Sequence, residues 1–226
     1  MNESSILSIE TKSIEEIIKR IKRKTYLFTK RLFDIIISLI GLIILSPLFI
    51  IIICLIKKED RGQAIFSQER IGQNGKIFKL YKFRSMVNNA DKILEELLKD
   101  PKIKREYKKK MKLSNDPRIT KIGSLLRKTS IDELPQLINV LKGDMSLIGN
   151  RPYLPREKEE MAHFYQEIIK TKPGITGYWQ VNGRSETTFT ERCRLESFYS
   201  QNMSLKLDLK IFFLTFYVVL ARKGAE

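Results

Sequence analysis

IIISLIGLIILSPLFIIIICLI, residues 35–56, holds no charged side chain over 22 positions. An apolar run of about 18 residues or more is long enough to cross the hydrocarbon core as a helix. It begins too far from the start for a cleavable signal peptide, and no small-residue cleavage site follows. Ser46-Pro47 stands at its centre, and a proline removes a donor and crowds the preceding turn. Basic residues flank both ends. Lys19 to Arg31 holds seven of them and no acid, and Lys57, Lys58 and Arg61 follow. Positive flanks belong on the cytoplasmic side. A hairpin broken at Ser46-Pro47 puts both there, with Ser46 bonding a carbonyl of the preceding turn, whereas a Pro-kinked spanning helix leaves one outside. The expectation is a re-entrant hairpin, with the kinked span as the alternative.

Upstream, residues 13–24 (SIEEIIKRIKRK) read as a basic amphipathic helix. Ser13 and Glu16 form a capping box, and Ile14, Ile17, Ile18 and Ile21 share one face. Such a helix suits anionic lipid, or else a protein surface. Downstream, residues 62–86 are β-rich, with Gly72 and Gly75 bracketing a hairpin turn and residues 77–84 alternating apolar side chains with bases. Residues 88–113 are helical and charged, with a break near Asp100-Pro101. In residues 205–221 the uncharged part, Ile211 to Ala221, is 11 residues long, too short to span, so it is a core or an interfacial helix.

The chain of 226 residues carries 42 Lys and Arg against 26 Asp and Glu, a net charge of +16. That excess selects anionic partners: phospholipid, nucleotide, phosphate or nucleic acid. Cys54 and Cys193 are far apart and lack ligand spacing, which excludes a disulfide framework or zinc site and fits a reducing compartment. His163, the single histidine, lies in a charged helical stretch and reads as a surface or packing residue. Catalysis then rests on carboxylates, lysines or a metal.

The segment 114–152, SNDPRITKIGSLLRKTSIDELPQLINVLKGDMSLIGNRP, concentrates candidates. Thr129 or Ser130 is a natural cap before Leu134, Leu137, Ile138 and Leu141, and Pro135 belongs in the first turn. That places Asp132 and Glu133 at a helix start, where the dipole stabilises carboxylates and free N–H groups receive phosphate. Adjacent acids repel, so one holds its proton longer. The pair either complements the dipole or does chemistry. Arg127 precedes it by five residues, and Arg151 follows in a Gly-Asn-Arg-Pro loop; arginines there suit phosphate. In KPGITGYWQVNGR, residues 172–184, Pro173-Gly174 marks a turn. Trp179, flanked by Gly177, Asn182 and Gly183, is a pocket wall or a hydrophobic corner.

IDELPQLINVLKGDMSLIGNRP, KPGITGYWQVNGR, the YKFRSM strand and the Ser46-Pro47 run together resemble the bacterial sugar transferases. More narrowly, the chain is similar to the small monotopic polyprenyl-phosphate phosphoglycosyltransferases, from about Lys30 to Gly224. The resemblance implies an Asp-Glu dyad at Asp132-Glu133, with Asp132 as nucleophile and both as residues for Mg²⁺. It implies Arg127 and Arg151 at the phosphates, and Arg84, Asp144, Gly183 and Arg184 among the residues that bind phosphate or nucleotide sugar. The implied partners are a UDP-sugar, undecaprenyl phosphate, an anionic phospholipid membrane and a second copy in a homodimer, without nucleic acid. The implied place is the cytoplasmic face of the bacterial inner membrane. Two positions depart from the family pattern. Asn150-Arg151-Pro152 replaces the commoner Pro-Arg-Pro and is associated with a galactose-type subgroup, so galactose stands ahead of glucose. Glu196, in RLESFY, replaces the usual Asp.

The expected fold is α+β and mostly helical: a re-entrant membrane helix hairpin, interfacial amphipathic helices and a small β-hairpin in one compact catalytic domain. Its parts are an N-terminal basic amphipathic extension (1–29), the re-entrant helix (30–58) and a cytoplasmic membrane-associated catalytic domain (59–226). The rival is a membrane-anchored basic protein that binds nucleic acid or acts as a scaffold, although no recognised nucleic-acid motif occurs.

Overall fold

The structure is a computed structural model that describes residues 3–110, 113, 115–183 and 187–220. It is mostly helical, with one long apolar helix and two small two-stranded sheets. α1 runs unbroken from Glu3 to Asp60. The expected break at Ser46-Pro47 does not occur, and the sequence itself supplies the reason. Pro47 cannot donate to the carbonyl four residues back, which is that of Ile43. The Ser46 hydroxyl donates to that carbonyl at 2.8 Å, so the helix continues past the proline. Nor does the helix start at the Ser13 capping box: residue 13 lies inside α1, and the boundary expected at residue 29 falls in mid-helix.

One side of α1 lies on the rest of the protein. Asp34, Ser38, Ile52 and Ile56 are buried, while Ile43 and Ile44 are 64% and 69% exposed. Polar bonds hold both ends of the apolar run. At the first end the Lys30 ammonium meets Asp208 Oδ2 at 2.6 Å. Arg31 donates to the carbonyls of Val140 and Leu141 at 2.6 and 2.8 Å. Asp34 Oδ1 accepts from Ser146 Oγ and the Leu147 N–H. At the second end Glu59 accepts the Lys121 N–H at 2.8 Å, and Asp60 pairs with Arg84.

β1 (Ile65–Ile71) and β2 (Ile77–Phe83) form the expected antiparallel hairpin, from Ile65↔Phe83 to Ile71↔Ile77. Asn74 (φ 55°) and Gly75 (φ 79°) make its turn. α2 (Ala90–Leu97) and α3 (Pro101–Lys110) flank the break expected at Asp100-Pro101, where the Asp100 carboxylate accepts the Lys102 N–H. α4 (Lys121–Lys128) is capped by the Thr120 hydroxyl on the Gly123 N–H. α5 (Gln136–Lys142) lies against β2 and is fastened there by Asn139, which is fully buried. The Asn139 side chain accepts the Tyr81 N–H at 2.9 Å and donates to the Lys79 carbonyl at 2.7 Å.

β3 (Ser146–Ile148) pairs in parallel with β4 (Gly174–Thr176), after the short α6 (Tyr165–Ile168). The strands approach so closely that a Cβ at Gly174 would sit 2.1 Å from the Gly149 nitrogen, so only glycine fits there. This pairing sets the Asn150-Arg151-Pro152 loop beside α7 (Tyr178–Asn182). α8 (Phe189–Asn202), with a Thr188–Glu191 capping box, backs both. α9 (Leu205–Leu220) buries Ile211 and exposes Phe213, Phe216 and Tyr217.

Candidate active site

The dyad sits where α4 ends and α5 has yet to begin. The Thr129 hydroxyl donates back to the Leu125 carbonyl at 2.8 Å and closes α4. Ser130 takes a left-handed conformation (φ 56°) that turns the chain sharply. Ile131–Glu133 then form a single 3₁₀ turn, and Pro135 precedes the first residue of α5. The expected cap at Thr129 or Ser130 is therefore absent: neither side chain caps α5, because the left-handed residue ends one helix instead of opening the next. Asp132 and Glu133 lie just ahead of α5.

Asp132 is 8% exposed. Burial, and then the Glu133 charge, push its carboxyl up to about 6, against the pull of Lys82 and Arg127. Among the described residues it forms no ion pair within 4 Å, whereas Glu133 Oε1 meets Lys82 Nζ at 2.6 Å. Lys82 reaches the dyad because Asn139 pins α5 to β2. The Arg127 Nε donates to Ser85 Oγ at 2.8 Å, and desolvation lowers the guanidinium pKa while Asp132 counters it. The Asp116–Arg118 ion pair, at 2.6 Å, stands behind Arg127 and acts on its charge. The sequence reading missed Lys82 and Ser85 as site residues, although Lys82 is one of the alternating bases it noted in the strand and Ser85 follows that strand.

A second cluster gathers around Arg151 and Trp179. Glu196 is 1% exposed, and its Oε1 accepts the Arg151 N–H at 2.9 Å. Burial pushes its carboxyl up to about 7, opposed by Arg151 and Arg192. The guanidinium carbons of Arg192 and Arg151 lie 4.5 and 5.9 Å from the Trp179 ring centre. Both cations face the Trp179 ring, and its Nε1 donates to Thr187 Oγ1 at 2.7 Å. Arg70, Arg192 and Glu196 were not read as binding residues. The fold brings Arg192 and Glu196 of α8 to Trp179 and the Arg151 loop, and bonds Arg70 of β1 to the Pro152 carbonyl.

The other expected residues are dispersed. Arg84 is buried, and its guanidinium is engaged by Asp60 and Asn88, which ties the end of α1 to β2. Asp144 stands beyond the far end of α5, 3.5 Å from Lys142. Gly183 ends α7, its N–H on the Trp179 carbonyl. Arg184 lies outside the described residues. His163 is exposed against Phe164, as expected. No cluster of three or more His, Cys, Asp or Glu side chains suited to a metal occurs among the described residues. The Asp132-Glu133 pair still fits a magnesium ion, which takes one or two carboxylates and completes its shell with water and phosphate oxygens.

The family model described as bacterial sugar transferase matches residues 25–222. The chain is 49% identical over 199 residues to the undecaprenyl-phosphate galactose phosphotransferase of Salmonella typhimurium, covering 88% of this chain and 42% of that protein. It is 42% identical to the exopolysaccharide production protein ExoY of Sinorhizobium fredii, covering 87% of this chain and 88% of that one. It is 40% identical to the UDP-glucose:undecaprenyl-phosphate glucose-1-phosphate transferase of Klebsiella pneumoniae, covering 87% and 41%. The chain thus spans less than half the length of the Salmonella and Klebsiella relatives.

Proposed function

This chain belongs to the bacterial sugar transferase family, and from that membership we propose that it is a phosphoglycosyltransferase that moves a hexose 1-phosphate from a UDP-sugar to undecaprenyl phosphate. One observation carries the mechanism: a buried carboxylate, Asp132, beside Lys82 and Arg127, with its own charge only partly countered. An Asp132 oxygen attacks the sugar-side phosphorus. The bond from that phosphorus to the bridging oxygen breaks, and its electron pair leaves with UMP. A phosphosugar remains on Asp132 as an acyl phosphate. An oxygen of the lipid phosphate then attacks the same phosphorus, releasing the lipid diphosphosugar and the free carboxylate.

Lys82 and Arg127 place fixed positive charge where the phosphoryl oxygens gain negative charge. Asp132 and Glu133 would hold a magnesium ion, which when bound would supply further positive charge to the phosphate oxygens. Glu133 orients Lys82 through their ion pair and holds the metal or handles a proton. Galactose ranks ahead of glucose as the sugar, on the Asn150-Arg151-Pro152 loop and the name of the Salmonella relative. The product starts a surface polysaccharide.

The site works at the cytoplasmic face of the inner membrane, with α1 embedded from that face and both ends of its apolar run on the same side. The bonds at both of its ends support this: Lys30, Arg31 and Asp34 at one end and Glu59 and Asp60 at the other hold the same folded unit. The exposed isoleucines between them face lipid.

Incubating the protein with UDP-galactose and no lipid acceptor tests the mechanism. The expected result is one phosphohexose of added mass on Asp132 and one equivalent of UMP. No adduct and no UMP, with activity restored only on adding lipid, refutes the covalent route.

A further inference from the structure

Two cations meet at the end of α5, away from the dyad, and among the described residues neither is paired with a carboxylate. Arg31 reaches from α1 to the last turn of α5, where it donates to the carbonyls of Val140 and Leu141 at 2.6 and 2.8 Å. Those bonds fix the guanidinium and use two of its five N–H donors. Gly143 closes α5 in the left-handed region, at φ 87°. A Cβ built there would lie 3.6 Å from Arg31 Nη2 and 3.6 Å from Lys172 Nζ. The two cations therefore flank one point, and no more than twice that distance separates them. Lys172 stands just before β4 and is half-buried.

The nearby carboxylates are engaged elsewhere. Asp34 Oδ1 accepts from the Ser146 hydroxyl at 3.0 Å and the Leu147 N–H at 2.9 Å. Asp144 Oδ2 stands 3.5 Å from the Lys142 ammonium. Asp208 is held by Lys30, the chain neighbour of Arg31. Burial, and then the Arg31 charge, lower the Lys172 pKa, with Asp34 and Asp144 opposing. Like charges held together and partly desolvated are stabilised by an anion that accepts from both.

The position of the pair selects the anion. Arg31 stands about one helical turn ahead of Ile35, the first residue of the uncharged run. With that run in lipid, the pair lies at headgroup depth on the cytoplasmic side, where basic pockets collect the phosphates of anionic lipids. The dyad is elsewhere. Asp132 and Glu133 precede α5 and Gly143 follows it, so the seven residues of α5, about 10 Å of helix, lie between them. We propose that Arg31 and Lys172, flanking Gly143, bind the phosphate of an anionic phospholipid headgroup at a site separate from the substrates. The headgroup bridges α1 and the segment before β4, and so fastens the folded unit to the bilayer at the start of the apolar run. This rests on the reading of that run as lipid-embedded and not on the mechanism at Asp132.

Native mass spectrometry of the full chain in non-ionic detergent tests the site, with phosphatidylglycerol, phosphatidylcholine and a short-chain polyprenyl phosphate as probes. The wild type is expected to retain one phosphatidylglycerol about tenfold more tightly than phosphatidylcholine. Lys172→Gln should remove that preference and leave the polyprenyl phosphate within about twofold of wild type, while Lys172→Arg should keep the preference. Lys172 ties no part of the fold together, so its variant avoids the loss that Arg31→Gln would bring to the end of α5. Lys102→Gln removes the same charge from an exposed position on α3 and should change nothing. Equal affinity for the two phospholipids, or equal weakening by Lys102→Gln and Lys172→Gln, overturns the proposal, since net charge alone then attracts lipid. Weakening of the polyprenyl phosphate in place of phosphatidylglycerol overturns it too, because the site then belongs to the acceptor. So does full displacement of the lipid by inorganic phosphate, which marks a site for free anions. Adduct formation with UDP-galactose, measured in parallel, keeps the two claims apart. An adduct without a lipid preference sinks the headgroup site alone, and Lys172-dependent lipid binding without an adduct sinks the covalent mechanism alone.

Discussion

Asp132 is a residue whose burial harms the fold and serves the chemistry. Its folded carboxyl titrates at about 6 against an ordinary 3.8. The folded protein therefore holds that proton more tightly than the unfolded chain. Stability falls as pH rises between those two values and stays lowered above them, by about 3 kcal/mol at about 1.4 kcal/mol per unit. Asp132→Asn removes both the cost and the nucleophile. In EDTA it should raise the melting temperature at pH 8, leave it nearly unchanged at pH 4, and abolish the mass adduct; a lower melting temperature at pH 8 contradicts the burial argument. Glu196, raised to about 7 by burial, behaves in the same direction over a higher window. Glu196→Gln should stabilise the protein more at pH 8 than at pH 5, as differential scanning fluorimetry would register. Arg127 donates through its Nε to Ser85 Oγ, so Arg127→Lys keeps the charge, loses the planar guanidinium and should slow UMP release about tenfold. Unchanged kinetics would remove Arg127 from the phosphate.

At the level of elements, α1 and α5 decide where the site sits. α1 passes Pro47 because Ser46 takes the carbonyl that the proline leaves vacant. In lipid no water can serve that carbonyl. Ser46→Ala should therefore cost roughly 1–2 kcal/mol and lower the melting temperature in detergent, whereas Ser46→Ala with Pro47→Ala should regain most of it. Equal losses in the single and double variants would show that the serine bond does not compensate the proline. α5 carries no strong cap of its own. It is held to β2 by Asn139, whose amide satisfies one donor and one acceptor of the strand. That bond also sets Lys82 against Glu133.

On the scale of the whole molecule, the apolar helix and the folded unit are a single body. Residues at both ends of the apolar run bond to that unit, so a span that carried one end across the bilayer would have to break one set of bonds. Cysteines placed at Lys30 and Lys58 in a variant of the full chain lacking Cys54 should react with a membrane-impermeant maleimide from the same side of sealed vesicles. Labelling from opposite sides would refute the same-side placement of the two ends and favour the kinked span. The exposed Phe213, Phe216 and Tyr217 of α9 give the unit an additional aromatic surface suited to headgroup depth.

The sequence by itself determined the long apolar run, the hairpin turn between Gly72 and Gly75, the helix break at Asp100-Pro101, and the place of Asp132 and Glu133 near a helix start. Each of these rests on periodicity, turn chemistry or charge within a few neighbouring residues. It misplaced the α5 cap and the Ser46-Pro47 break, because the left-handed turn at Ser130 and the serine bond to Ile43 are local alternatives that composition does not distinguish. Only the tertiary structure decided that Lys82 meets Glu133, that Arg84 serves Asp60, and that Arg151 and Arg192 both face Trp179. Those residues are separated by tens of positions, and they meet because Asn139 fixes α5 to β2 and the parallel β3–β4 pair brings the Arg151 loop beside Trp179. Long-range packing of that kind leaves no pattern in the spacing of the chain.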